Sequence, residues 1–250
     1  MENLTEPDYI GLIQEHCDFY CVCFQNPDKK KSMTKRFKNI GLDLIVFDGV
    51  HHTDPRIANI NGRDINSQVQ RLWSVTYGHL DMIRLFYDSG KTFGFFCEDD
   101  IVINIDLPRL IPNIMQEFSE MKLDLLLLGY MKTFKVEGWM TGYESKHLFE
   151  DRPYTYHNYP QDQWGVHLYM INRDGAKKIL DKYAYGFADE NPEHPFSPDW
   201  TISKTGNHAL ISPLYAVEDG RDSWEHYNHQ GQFDFHMQTF SFNYIPDKFV

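Results

Sequence analysis

The sequence predicts one α/β domain with a mostly parallel central sheet flanked by helices. Short apolar runs alternate with segments of helical periodicity, the pattern of strands joined by crossover helices. The 250-residue length is enough to bury a sizeable core. No repeat, low-complexity tract or linker divides the chain, so we expect residues 1–250 to form a single unit.

The first elements are two strands separated by a basic helix. Residues 18–24 (DFYCVCF) form an apolar, aromatic run closed by Asn26-Pro27, which predicts a buried strand. Residues 29–40 are basic, with Met33 and Phe37 on one face, which predicts a mostly exposed helix. Residues 42–47 (LDLIVF) predict the second strand, and the polar residues 51–66 predict a loop.

The middle of the chain predicts a long helix and a third strand. Apolar side chains recur every three or four residues from Trp73 to Phe86, and Gly90 marks the helix end. Residues 93–97 (FGFFC) then predict a buried strand that runs into Glu98-Asp99-Asp100.

The remaining elements become less regular towards the end of the chain. A helix is expected over 110–118, with its start delayed by Pro112, and a strand over 124–129. Residues 130–165 lack strong periodicity and predict a long functional loop or an insertion. A strand over 166–171 and a helix over 173–183, capped by Asn172, follow. Residues 186–198 predict a loop, and the tail from Glu218 is polar, His-rich and aromatic.

Composition excludes several classes of function. With 24 Lys+Arg against 36 Asp+Glu the net charge is −12, which disfavours nonspecific nucleic-acid binding. No apolar stretch approaches the roughly 20 residues of a membrane span, and the N-terminus lacks the apolar core of a signal peptide. The few cysteines lie mostly on apolar runs without paired CxxC spacing, which indicates buried thiols. We therefore expect a reduced, soluble, cytoplasmic protein.

The acidic triplet Glu98-Asp99-Asp100 is the sharpest candidate site. Side chains alternate along a strand, so Glu98 and Asp100 are expected on one side and Asp99 on the other. Two carboxylates at the carboxyl edge of a parallel sheet are costly unless a cation neutralises them, and Mg²⁺ and Mn²⁺ prefer oxygen ligands. The alternative is a solvated acidic turn that caps the next segment.

These motifs, taken in order, resemble the family 25 glycosyltransferases, which include lipopolysaccharide-biosynthesis and collagen galactosyl enzymes with the GT-A nucleotide-sugar fold. The resemblance runs from about residue 19 to residue 223. Its motifs are FYCVCFQNPDKKKSMTKRF, FDGV, Tyr77-Gly78-His79, FGFFCEDDIVI, DLLLLGY, GVHLYMINRDGAKKIL and Pro198-Asp199-Trp200. Lys31 stands where the family often has Arg, Tyr77-Gly78 replaces its Ser, and residues 131–161 match no family pattern.

The resemblance implies transfer of a hexose, such as galactose or glucose, from a UDP-linked donor to a glycan or other hydroxyl acceptor. Residues 15–130 would hold nucleotide and metal, and residues 131–250 the acceptor. Mn²⁺ or Mg²⁺ would be the cofactor, with Asp100 and Glu98 as ligands. The expected donor contacts are Phe24, Gln25, Asn26, Asp48, Gly49, His79, Glu98, Asp99 and Gln163. Ordinary turn formation is the alternative for the Asn, Asp and Gly residues among them.

The family is generally taken as inverting, which requires a general base for the acceptor hydroxyl. Asp199 is the first candidate and Asp162 the second, with a helix N-cap as the alternative role of Asp199. GT-A enzymes often complete the metal site with a His from the C-terminal tail, and here His229 and His226 are the candidates.

Aromatic side chains after Gly129, with Trp164, Trp200 and Trp224 among them, are candidates to contact the acceptor, and core packing is the alternative role for them. Two other functions stay open at this point, an inactive carbohydrate-binding relative and a metal-dependent phosphohydrolase. The sequence suits a bacterial or large-virus enzyme that makes surface glycans.

Overall fold

A computed structural model of the protein describes residues 6–60, 62–136, 140–219 and 230–250, with side chains from residue 9. The strands are β1 (Cys17–Cys23), β2 (Ile45–Asp48), β3 (Phe93–Cys97), β4 (Ile101–Ile103), β5 (Leu125–Gly129), β6 (Ser145–His147), β7 (Thr155–His157), β8 (Leu168–Asn172), β9 (His208–Ser212) and β10 (Ala216–Glu218). The α-helices are α1 (Glu6–His16), α2 (Pro27–Asn39), α3 (Ser67–Ser89), α4 (Leu107–Glu120), α5 (Arg173–Lys182), α6 (Phe187–Glu190) and α7 (Gln230–Asn243). Two 3₁₀ helices span Ile202–Lys204 and Pro246–Lys248.

Eight strands form one central sheet in the order β2-β1-β3-β8-β5-β9-β7-β6, while β4 and β10 form a separate antiparallel pair. Following the pairings across the sheet, six strands run in one direction, and β8 and β7 run in the other. The predicted α/β class with a mostly parallel sheet is therefore confirmed. The antiparallel position of β8 between β3 and β5 was not predicted.

Helices cover both faces of this sheet. Phe96 of β3 enters one hydrophobic cluster, together with Phe86 of α3 and Ile179 of α5. Its neighbour Phe95 enters the other cluster, with Phe37 of α2 and Phe118 of α4. Because consecutive side chains of a strand point to opposite faces, each run of apolar residues fills two cores at once. Burial of one such side chain stabilises the fold by roughly 1.5–3 kcal/mol.

Short polar side chains fix the starts of the helices that flank the site. The Asn26 side chain accepts a hydrogen bond from the Lys29 N–H at 3.0 Å, and Asn66 caps α3 in the same way. Asn172 caps α5 by accepting from the Gly175 N–H, as predicted. Each cap satisfies a backbone donor that would otherwise lack a partner.

Three predictions of element type or bounds were wrong in part. The interval 130–165 is not all loop, because β6 and β7 form a hairpin that joins the sheet beside β9. The interval 186–198, predicted as a loop, contains the short helix α6. Helix α7 lies in the tail, for which no element was predicted. The fourth helix begins at Leu107, before Pro112, with Pro108 in its first turn, where a missing N–H costs little.

Other elements were not predicted at all. Helix α1 packs its buried Ile13 into the core on the α4 side of the sheet. Strands β4 and β10 are three residues long, which is too short for an alternation pattern to be recognised. Edge strand β2 begins at Ile45, later than predicted.

Two expectations from composition concern cysteines and membrane helices. All four cysteines lie in the described part of the chain, where they are buried and free of disulfides, as predicted. None of the described helices has both the length and the apolar character that crossing a bilayer requires.

Candidate active site at the carboxyl edge of the sheet

Strands β1, β2 and β3 are parallel neighbours, so their carboxyl ends meet at one edge of the sheet. A cleft of about 790 Å³ opens there. In such sheets ligands bind beyond the carboxyl ends of the strands. The cleft brings together six residues that were predicted from the sequence, namely Phe24, Gly49, Glu98, Asp99, Asp100 and Asp199.

The residues that follow β3 diverge to opposite sides of the sheet. Glu98 Oε1 lies 3.5 Å from Nε2 of His79 on α3. Asp99 Oδ1 lies 2.7 Å from Nζ of Lys29 on α2, which covers the other face. Burial alone would lower the pKa of Lys29, but the hydrogen bond that Lys29 donates to Asp99 and the charge of Asp100 outweigh it and raise that pKa. Asp99 is thus already neutralised by a protein cation.

Asp100 is the uncompensated member of the triplet. Its Oδ1 is buried and has no hydrogen-bond partner among the described residues. Burial is the main cause that raises the pKa of Asp100 well above its usual value, and the charges of Glu218 and Glu98 add to it. A buried carboxylate oxygen surrounded by further carboxylates is the environment that a hard divalent cation relieves. Asp100 therefore offers an oxygen ligand of the kind that Mg²⁺ and Mn²⁺ prefer.

A buried cluster of one carboxylate and two histidines lies behind Asp100. Glu218 Oε2 is 2.6 Å from Nδ1 of His236 on α7 and 3.3 Å from Nε2 of His167. Burial would raise the pKa of Glu218, but hydrogen bonds from the two histidines outweigh it and hold that pKa well below its usual range. Glu218 thus remains charged beside Asp100.

The sequence did not predict this cluster. The tail histidines that it indicated were His226 and His229. Both of those, like Trp224, lie outside the described residues, so their predicted roles stay predictions. Within the part of the chain that the structure describes, no three His, Cys, Asp or Glu side chains converge in the manner of metal ligands. A complete ligand set would need atoms beyond those described.

Asp199 is positioned by the loop that precedes β8. Its Oδ1 accepts a hydrogen bond from the backbone N–H of Gly165 at 2.8 Å. Burial and then the charge of Glu98 raise the pKa of Asp199, against the lowering effect of the Gly165 N–H. The alternative role of N-cap is wrong, because the cap position of the following 3₁₀ helix belongs to Thr201.

Phe24 and Gly49 form an apolar corner of the cleft. Phe24 follows β1 and is 44% exposed. A Cβ on Gly49 would lie 3.1 Å from the Phe24 Cβ, so glycine allows the second strand end to approach the ring closely. An exposed aromatic face beside a close backbone suits a flat ligand such as a nucleobase.

Three of the predicted donor contacts lie beside the cleft and do not line its described part. Asn26 caps α2, and Gln25 takes a left-handed backbone conformation with φ of 45° just before it. Asp48 forms an ion pair with Lys30 at the surface. Turn and cap formation accounts for the side chain of Asn26 here.

The other predicted contacts lie deeper or further away. His79 is buried behind Glu98, with Nδ1 3.0 Å from the hydroxyl of Tyr169. The Gln163 amide is buried and donates to the backbone carbonyls of Met131 and Trp164. Asp162 is exposed and does not line the described part of the cleft. These three side chains do not join the six that the cleft brings together.

One wall of the cleft comes from residues that the sequence did not single out. Side chains of the first two turns of α3 line it, Arg71 among them, and Gln232 of α7 contributes as well. On an amphipathic helix, an arginine of the polar face has the same sequence signature whether it faces solvent or a ligand. No pattern in the chain distinguished Arg71.

Neither a protein-family model nor a curated protein matches the chain. Solved structures show distant similarity to it, among them the following three. The first is a glycosyltransferase involved in glycosylation of the major capsid of PBCV-1, with 9% identity, a TM-score of 0.41, and coverage of 89% of this chain and 98% of that one. The second is mannose-1-phosphate geranyltransferase from Thermus thermophilus, with 9% identity, a TM-score of 0.46, and coverage of 86% and 80%.

The third is CMP-2-keto-3-deoxy-manno-octonic acid synthetase complexed with CTP, with 12% identity, a TM-score of 0.31, and coverage of 71% and 82%. All three similarities are distant. The resemblance to family 25 stays a prediction from the sequence motifs, since no family model supports it.

Proposed function

We propose that the protein is a metal-dependent glycosyltransferase that moves a hexose from a UDP-linked donor to a hydroxyl of a glycan acceptor. The observation that carries this proposal is the buried Asp100 Oδ1, which has no partner among the residues that the structure describes, in a cleft at the carboxyl ends of three parallel strands. A solvated acidic turn, the structural alternative for this triplet, would not leave a carboxylate oxygen buried and without a hydrogen-bond partner in the described part of the chain.

Asp100 and Glu98 are the side chains that would hold Mn²⁺ or Mg²⁺ in this proposal. Asp99 is less suited to that role, because Lys29 already neutralises it. When bound, the metal supplies positive charge for a leaving diphosphate. Glu218, held in its charged form by His167 and His236, adds to the negative field that attracts a cation.

The chain's own residues account for the remaining steps. Phe24 offers an aromatic face to the base of the donor. Asp199 accepts the proton of the acceptor hydroxyl, and the Gly165 N–H holds its carboxylate in place. With Asp199 as the only base, the acceptor oxygen displaces the diphosphate from the sugar in a single step with inversion. This stereochemistry rests on the family resemblance.

The acceptor side of the proposed site is marked by Trp164. Trp164 is 47% exposed, although the residues on both sides of it are buried. Trp164 precedes Gly165, which contacts Asp199, and its ring meets that of Trp200 at 6.1 Å and 75°. An exposed aromatic face next to the base suits a sugar ring of the acceptor.

The test is donor turnover by the purified protein. A panel of nucleotide sugars, with UDP-galactose and UDP-glucose included, is incubated with and without Mn²⁺, and release of the free nucleotide and of glycosylated product is measured. Asp100→Asn is expected to abolish Mn²⁺-dependent turnover. The control Asp43→Asn, which removes the same charge at an exposed position outside the cleft, is expected to retain it.

Two results contradict the proposal. Failure to bind any nucleotide sugar, with insensitivity to a chelator, would favour the inactive carbohydrate-binding relative. Cleavage of nucleotides that carry no sugar, at rates equal to those of nucleotide sugars, would favour the phosphohydrolase.

A further inference from the structure

We infer that Arg71 forms an anion site in the cleft and binds the diphosphate of the donor without help from the metal. This inference rests on the proposed function and adds to it a residue that the sequence motifs did not indicate. Arg71 lies in the second turn of α3 and lines the same cleft as Glu98, Asp99 and Asp100.

The charges that line the cleft call for such a residue. Four carboxylates line it, those of Glu98, Asp99, Asp100 and Asp199. Among the described lining residues, fixed positive charge comes from Lys29 and Arg71. The charge of Lys29 is compensated by its ion pair with Asp99. A diphosphate entering this field is repelled unless a cation meets it, and Arg71 is the protein cation that remains.

The arginines of the described chain differ in their partners. Five form ion pairs, namely Arg36 with Asp219, Arg56 with Asp54 and Asp81, Arg63 with Asp189, Arg109 with Asp106, and Arg152 with Glu117. Two more, Arg84 and Arg173, contact Tyr87. Arg71 makes no hydrogen bond, ion pair or ring contact with any described residue. Its guanidinium is therefore available to a ligand.

Guanidinium chemistry matches a diphosphate. The planar group presents several N–H donors that bind two phosphate oxygens at once, and it stays charged at every working pH. Ser67 and Gln68, at the start of α3, line the cleft beside Arg71. Backbone N–H groups at a helix N-terminus add a favourable field for the same anion.

The experiment compares ligands with and without phosphate on the full-length protein. Dissociation constants of UDP and of uridine are measured by NMR titration for the wild type, Arg71→Gln, Arg71→Lys and Arg84→Gln, with Mn²⁺ and again with a chelator. Arg84 is the matched control, since it is exposed on the same helix and outside the described cleft lining. Arg71→Gln is expected to weaken UDP about tenfold or more and to leave uridine unchanged.

The same weakening of UDP is expected in the chelator arm, with Arg71→Lys intermediate and Arg84→Gln equal to the wild type. Binding of UDP by Arg71→Gln within twofold of the wild type overturns the inference. An equal loss of uridine affinity also overturns it, because the effect would then come from packing of α3. If the wild type binds no UDP at all, both the proposed function and this inference fail. If the wild type binds UDP and Arg71→Gln binds it equally well, only this inference fails.

Discussion

The backbone N–H of Gly165 donates a hydrogen bond to Oδ1 of Asp199, with 2.8 Å between the two atoms. Gly165 has a φ of 90°, and a Cβ at this position would lie 2.6 Å from the backbone nitrogen of Met131. Only glycine therefore allows the loop before β8 to approach closely enough for this contact. The backbone at position 165 thus holds the carboxylate of the candidate base in place.

Gly165→Ala is expected to lower the free energy of unfolding by about 2–4 kcal/mol, since it combines a left-handed φ with a backbone clash. Gly90→Ala is the matched control, because Gly90 has a φ of 83° but nothing within 4 Å of its Cβ position. Its cost is expected to be only about 1 kcal/mol. Urea denaturation measures both values, and equal costs would show that the close approach to Met131 contributes nothing.

The pH dependence of transfer is expected to report the environment of Asp199. A general base works only when ionised, and burial together with the Glu98 charge raises the pKa of Asp199. The loss of kcat/KM on acidification therefore begins at a higher pH than it would for an ordinary aspartate. Glu98→Gln removes one raising influence, so the acidic limb is expected to move to lower pH, whatever happens to the absolute rate.

Asp162→Asn serves as the comparison for this profile. Asp162 is exposed, and its charge is not among the influences on the pKa of Asp199. The acidic limb of Asp162→Asn is expected to coincide with that of the wild type. Complete loss of transfer in Asp162→Asn, with Asp199→Asn active, would assign the base to Asp162 instead.

Asp100 is expected to destabilise the metal-free protein at neutral pH. Its pKa in the folded state is raised, so the folded state binds a proton more readily than the unfolded state, and stability falls as pH rises above the ordinary value. Asp100→Asn removes this cost and is expected to raise the free energy of unfolding by about 1–2 kcal/mol at pH 7. The gain is expected to disappear near pH 3, where the carboxyl is protonated in both states.

Asp124 is a buried aspartate whose charge is compensated, so the same substitution is expected to have the opposite effect on stability. Its carboxylate binds Lys178 Nζ at 2.7 Å and accepts from the Asn207 N–H at 2.7 Å, so its charge is compensated. Asp124→Asn is expected to destabilise the protein by about 1–3 kcal/mol. Thermal unfolding with and without Mn²⁺ measures both variants, and a destabilised Asp100→Asn would contradict the view of Asp100 as an uncompensated carboxylate.

The sequence predicted those parts of the site that depend on neighbouring residues along the chain. The run FGFFC followed by Glu98 predicted both a buried strand and an acidic strand end. Both features are encoded by residues that are adjacent in the sequence. Asn172 likewise predicted the start of its helix. In contrast, the pairing of Glu218 with His167 joins residues 51 positions apart, and nothing local to either residue encodes it.

Strand order was beyond the sequence for a similar reason. Leu168–Asn172 reads as a buried strand in any position of an α/β sheet, and its antiparallel place between β3 and β5 depends on how the long excursion after β5 returns. That Arg71 lacks a partner among the described residues likewise depends on which acidic side chains the other arginines bind. Contacts between residues far apart in sequence determine both the strand order and the partners of Arg71, and hydrophobic periodicity does not encode such contacts.

Trp164 is expected to bind the acceptor and not the donor. Its indole is exposed beside the loop that holds Asp199, while Phe24 and Arg71 line the cleft in which the donor is proposed to lie. Trp164→Ala should therefore raise the KM for a glycan acceptor about tenfold, since base–aromatic and comparable stacking contacts contribute roughly 1–3 kcal/mol. Trp164→Phe, which keeps an aromatic face, is expected to recover part of that loss. The Kd of UDP is expected to stay at the wild-type value in both variants.

Tyr185→Ala, at another aromatic residue that is 66% exposed, controls for loss of surface aromatic area. A parallel loss of UDP affinity in Trp164→Ala, or an unchanged acceptor KM, would remove Trp164 from the acceptor side of the site.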